Sequence, residues 1–82
     1  MSELDRNRLV WKSRRGMLEL DLLFSKFVRD KLDTLSLQQK LTFNELLNCE
    51  DDYLFRLIMN VEAAPSAPVQ ELISMLQQLN RD

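Results

Sequence analysis

Histidine is missing from this chain, and glycine, cysteine and tryptophan each occur once. Each scarcity removes a class of chemistry. Without an imidazole there is no Ser-His-Asp or Cys-His site and no His-ligated zinc. One glycine cannot build a phosphate-binding loop or a G-x-G-x-x-G turn. The single cysteine, Cys49, excludes an internal disulfide and suits a reducing compartment. It is expected to be structural or neutral, because Glu50, Asp51 and Asp52 follow it and oppose thiolate formation. No apolar run approaches the roughly 20 residues of a membrane span. The opening MSELDRNRLVW lacks the continuous apolar core of a signal peptide. These absences point to a cytoplasmic protein, not inserted in a membrane and not an enzyme, with no catalytic residue and no metal site to nominate.

What is present is helix-forming. The 82 residues suit one domain spanning 1–82, and 45% hydrophobic with 29% charged content is ordinary for a globular fold. A chain this short buries only about 60% of its unfolded surface, so its core must be efficient. Gly16, Pro65 and Pro68 are the strong breakers, Leu, Gln, Glu and Lys are abundant, and strand alternation is absent. The fold expected is all-α, a compact bundle of five short helices. The net charge of −2 is uneven: Arg6, Arg8, Lys12, Arg14 and Arg15 cluster early, and Glu45, Glu50, Asp51 and Asp52 cluster mid-chain. Glu3 and Asp5 interrupt the basic patch, which argues against nucleic acid as the partner.

The first helix is expected over about residues 3–14 and the second over about 18–33, the latter with Leu20, Leu23, Phe24, Phe27, Val28 and Leu32 at spacings of three and four. Glu19 and Asp21 fall in its first turn, where the helix dipole favours negative charge. Ser36 and Gln39 form a capping box that opens a third helix with apolar Leu37, Leu41, Leu46 and Leu47. Asp51 is read as the cap of a fourth helix, nearly apolar all round and so the most buried. Pro68 suits the first turn of a fifth helix carrying Val69, Leu72, Ile73, Leu76 and Leu79, with residues 80–82 expected to fray.

The first helix is the unusual one. Leu4, Arg8, Trp11 and Arg15 recur along one stripe, while Leu9 and Val10 point the other way and are the better core candidates. Trp11 then has two readings. It packs in the core with the arginines reaching past it to water, or it belongs to a binding surface, since Trp and Arg dominate interface hot spots. Gly16 also has two readings. It ends the first helix in a left-handed conformation, leaving Arg14 and Arg15 in the last turn. Or it opens a corner, shared by exposed Arg15 and Glu19, where a partner's backbone approaches closely.

The stretch WKSRRGMLELD, residues 11–21, contains Arg15-Gly16-Met17-Leu18-Glu19. It resembles the R-G-x-x-E signature of the SdhE (YgfY) family, the small flavinylation and assembly factors of succinate dehydrogenase. A second stretch, LLNCEDDYLFRLIMN at 46–60, is similar to the family's segment between its third and fourth helices. Length, helix count and the placement of both stretches agree, so the resemblance covers nearly the whole chain. It implies binding to the flavoprotein subunit of succinate dehydrogenase, or of fumarate reductase, and promotion of covalent FAD attachment to a histidine of that subunit. It implies a partner-binding surface of Arg15, Gly16 and Glu19, with Arg8, Trp11 and Asp21 at neighbouring family positions and Asp51 on the acidic segment. FAD would then be carried by the partner, with no cofactor held stably by this chain, which is expected to be a monomer when free. Leu18 and Asp52 depart from the residues common in relatives, and VEAAPSAP replaces a shorter turn. Members have also been labelled antitoxins, so the rival implication is an antitoxin-like protein binding a membrane toxin or cytoskeletal partner.

Overall fold

Buried leucines at helical spacing put the hydrophobic core at the centre of a helix bundle. The computed structural model describes residues 5–81. Among them are five α-helices and one short 3-10 turn: α1 (Arg6–Lys12), α2 (Leu18–Asp30), the turn at Leu32–Thr34, α3 (Leu37–Leu47), α4 (Asp51–Ile58) and α5 (Ala67–Arg81). The all-α bundle is as expected. Val69, Leu72, Ile73, Leu76 and Leu79 are all buried along α5, which packs against α2, α3 and α4, while α1 leans on α3. Phe24, Phe27 and Phe43 are fully buried and form an aromatic centre, with ring centroids 6.1 Å apart for Phe24–Phe43 and 5.1 Å for Phe27–Phe43. Such edge-on and tilted aromatic contacts add to simple area burial.

Local hydrogen bonds decide the boundaries. α1 stops at Lys12 rather than near residue 14. The Ser13 hydroxyl donates to the Val10 carbonyl at 2.6 Å, and its N–H is shared between Leu9 and Val10. The side chain thus takes a carbonyl that the next helical turn would use. Arg14 and Arg15 therefore lie in the connector, not in the last turn of α1. The expected start at residue 3, and Leu4, lie outside the described residues. α2 ends at Asp30, and the chain tightens into the 3-10 turn that buries Leu32. The Ser36–Gln39 capping box is complete, with Gln39 N–H to Ser36 Oγ at 3.1 Å and Ser36 N–H to Gln39 Oε1 at 2.8 Å.

Two expectations of burial and two of helix boundaries are corrected. Leu37 and Leu41 are exposed, because α3 turns Phe43, Leu46 and Leu47 inward instead. α4 is amphipathic rather than buried all round: Leu54, Leu57 and Ile58 face the core, while Met59, just past its end, is exposed. Asp51 is the first residue of α4 and Glu50 occupies the cap position, so the Asp51 carboxylate is free to reach another element. At the end of the chain α5 continues through Asn80 to Arg81 instead of fraying; Asp82 lies outside the described residues.

Candidate partner-docking surface

Beyond Ser13 and Arg14, whose N–H groups bond back to α1, the connector to Met17 is held by side chains. Arg15 does most of this. Its guanidinium donates to Asp51 Oδ1 at 2.7 Å and to the carbonyls of Lys12, Leu47 and Cys49 at 3.2, 2.9 and 2.6 Å. One side chain thereby ties the end of α1 to the end of α3 and the start of α4. Asp51 completes the joint, its second oxygen accepting the Met17 N–H at 3.0 Å. Asp21 holds the other side, accepting the Arg15 N–H at 2.8 Å and the Arg14 guanidinium at 3.1 Å. Lys12 adds a bond to buried Asn44 at 2.6 Å.

The electrostatics follow from these contacts. The Arg15 N–H, and next the Arg14 guanidinium, hold the Asp21 carboxyl below its ordinary value. At Asp51, partial burial pushes upward, but the Met17 N–H, Arg15 and Gly16 N–H together outweigh it and the carboxyl is lowered. Both stay ionised under ordinary conditions and keep their hydrogen bonds.

Arg15 is thus not the exposed corner residue expected: its side chain is only 11% exposed, because four acceptors draw it inward. Nor is Gly16 a left-handed helix terminator, since no glycine has positive φ. A Cβ on Gly16 would meet only Asp51 Oδ2, at an ordinary 3.7 Å. The shared corner of Arg15 and Glu19 is split, one side chain inside and the other out.

Around this frame the remaining candidates face solvent. Trp11 is 76% exposed, which settles its position in favour of the surface, while Leu9 is fully buried and Val10 packs against the core. Arg8, Gly16 and Glu19 are exposed. Four members of the basic cluster are engaged, Arg6 with Asp33, Lys12 with Asn44, Arg14 with Asp21 and Arg15 with Asp51. Two further residues join the exposed set that sequence reasoning did not nominate. Leu18 and Leu22 are 66% and 62% exposed, one turn apart on α2. Their spacing was the available signal, because both fall outside the Leu20–Leu23–Phe24–Phe27 stripe. Among the described residues no cluster of three or more Cys, Asp or Glu side chains is placed to hold a metal. What the surface offers is a cation, an indole, a gap and a carboxylate on a braced scaffold, which is recognition chemistry.

Comparison with known proteins identifies the family. The chain is 42% identical over 72 residues to the FAD assembly factor SdhE of Idiomarina loihiensis, covering 88% of this chain and 80% of that protein. It is 39% identical over 77 residues to the protein of the same name from Legionella pneumophila strain Paris, covering 94% and 96%. It is 38% identical over 76 residues to that of Mannheimia succiniciproducens, covering 93% and 88%. The model of the Sdh5 family, flavinator of succinate dehydrogenase, matches residues 7–80, from the first helix through the last. Matched from its first helix through its last, this chain belongs to the Sdh5 family.

Proposed function

We propose that this chain is an assembly factor that docks on the flavoprotein subunit of succinate dehydrogenase and promotes covalent attachment of that subunit's FAD. The flavoprotein of fumarate reductase is a second client. The observation that carries this reading is the family match over residues 7–80. Arg8, Trp11, Gly16 and Glu19 make the contact. Arg15, Asp21 and Asp51 act behind them, holding the junction in the shape the partner meets.

The chain does not form the covalent bond itself. It has no histidine to offer as a nucleophile. Its residues do not suit a resident dinucleotide either: a cavity of about 380 Å³ between α3 and α5 is lined by Ser36, Gln38, Gln39, Thr42, Ala67, Pro68 and Glu71, with no cation for a pyrophosphate. FAD belongs to the partner. The chain acts by binding one geometry of the loaded subunit better than the others, which shifts that subunit's population toward it. Correct placement of reacting groups alone removes several kcal/mol from a barrier. The chain then departs as a monomer.

The test is expression of this chain in a bacterial strain lacking its own flavinylation factor. In-gel flavin fluorescence of the dehydrogenase subunit should return, and affinity capture should retain that subunit. Soluble, folded chain that restores no covalent flavin and retains a small membrane protein instead would support an antitoxin role.

A further inference from the structure

Two cavities meet beside Glu19. One of about 320 Å³ is lined by Glu19, Leu22, Leu23, Lys26, Leu79 and Asn80. The other, of about 250 Å³, shares Glu19, Leu23 and Asn80 and adds Leu20, Phe55, Ile58 and Met59. Together they form one groove bounded by α2, the end of α4 and the end of α5. Its lining is mainly aliphatic and aromatic, and Leu22 and Met59 are 62% and 54% exposed. A small domain pays in solvation for leaving such residues uncovered side by side, and such patches mark interaction sites.

The rim adds a charge that selects the occupant. Asp21, Asp51 and Asp52 each pair with an arginine. Glu19 has no ion pair or hydrogen bond among the described residues, and it lies on the groove. Within the first cavity, Lys26 sits seven residues along α2, about 10 Å from Glu19 at the helical rise; its ammonium donates to the Leu79 carbonyl at 3.3 Å. The groove therefore carries a carboxylate at the junction of its two cavities and an ammonium in one of them, with an apolar lining on both sides of the carboxylate. An extended peptide covers that distance in about three residues.

We propose that this groove receives a short extended segment of the flavoprotein partner, with an apolar side chain in the groove and a Lys or Arg within about three residues of it pairing with Glu19. This rests on the reading under Proposed function and deepens it, giving Glu19 a specific counter-charge and extending the docking surface from the α1–α2 junction along α2 to α4 and α5. A second basic residue in the cavity beside Lys26 is disfavoured by its charge.

The experiment uses the full chain and purified FAD-loaded flavoprotein subunit, with binding measured by calorimetry at several salt concentrations. Leu22→Asp and Met59→Asp should each weaken binding by about tenfold or more, as expected when a well-packed apolar anchor is lost. Glu19→Gln should weaken it and flatten its salt dependence, while Leu37→Asp, at an exposed leucine outside the groove, should not. A photo-crosslinking residue at position 22 should label a flavoprotein segment in which an apolar residue lies within three positions of Lys or Arg. Unchanged affinity of the groove variants, with wild-type binding intact, overturns the groove and leaves the function standing. So does a cross-link to a second copy of this chain. If the wild-type chain does not bind the subunit, the functional reading falls and the groove proposal with it. Melting and helicity measured on each variant separate lost docking from lost folding.

Discussion

Arg15 braces the α1–α2 connector from behind the surface. Three backbone carbonyls and Asp51 surround its guanidinium, and a guanidinium fork satisfies several acceptors at once where an ammonium cannot. Arg15→Ala leaves those acceptors and a partly buried carboxylate uncompensated, at a cost of about 2–4 kcal/mol. For a domain of this size the melting temperature should fall by about 10 °C or more, and Arg15→Lys should recover only part of it. A loss within 2–3 °C, about what an exposed ion pair gives, would place Arg15 outside the frame. Acid should act on the same joint. The Asp51 carboxyl is lowered from its ordinary 3.8, so the stability it contributes is fully present above that value. That stability is lost as pH falls through the lower folded value. Asp51→Asn should flatten the fall in melting temperature below about pH 4; an unchanged slope would contradict the assignment. The joint was not legible in the sequence, where Arg15 and Asp51 stand 36 positions apart and read as an exposed corner residue and a helix cap. Trp11 was legible only as a choice: its stripe placed it opposite Leu9, and the fold decided.

At the scale of elements, periodicity was a good guide where a helix had one clean apolar face. The core residues of α2 and α5 are those the spacing marked. It misled where two faces were apolar. Leu37 and Leu41 share a face that finds no neighbour, while Phe43, only two positions beyond Leu41, fills the space beside Phe24 and Phe27. The end of α4 escaped notice because no glycine marks it. Asn60 takes the left-handed conformation there, with φ of 62°, the single non-glycine residue with positive φ among those described. The Val61 N–H bonds to the Arg56 carbonyl at 2.9 Å and the Asn60 N–H to Leu57 at 3.2 Å, the two bonds of a Schellman cap. Gln77 of α5 fastens this cap, donating to the Ile58 carbonyl at 2.8 Å and to Asn60 Oδ1 at 2.9 Å. A β-branched residue in that conformation is strained by about 1–2 kcal/mol. Asn60→Val should therefore destabilise by that much in urea unfolding, while Asn60→Gly, which relieves φ but loses the Gln77 bond, should change little. Equal stability of the two variants would rule out the cap as a determinant of where α4 ends.

The whole molecule divides labour between a frame and a face. Its Cα radius of gyration is 11.6 Å, close to the roughly 12 Å of a compact chain of this length. Among the described residues every buried side-chain polar atom has a hydrogen-bond partner, so the bundle presents its exposed residues from a settled core. Gly16 is where frame and face meet. Its backbone is ordinary and its Cβ position open, so the free domain does not need glycine there. The docking proposed above assigns the need to a partner that comes close. Gly16→Arg is the most direct test, with melting and circular dichroism measured on the purified variant and covalent flavin measured in gel in a strain lacking the native factor. The expected result is native helicity, a melting temperature within a few degrees of wild type and strongly reduced covalent FAD on the dehydrogenase subunit. A folded Gly16→Arg chain that restores normal covalent FAD would contradict docking at the α1–α2 junction.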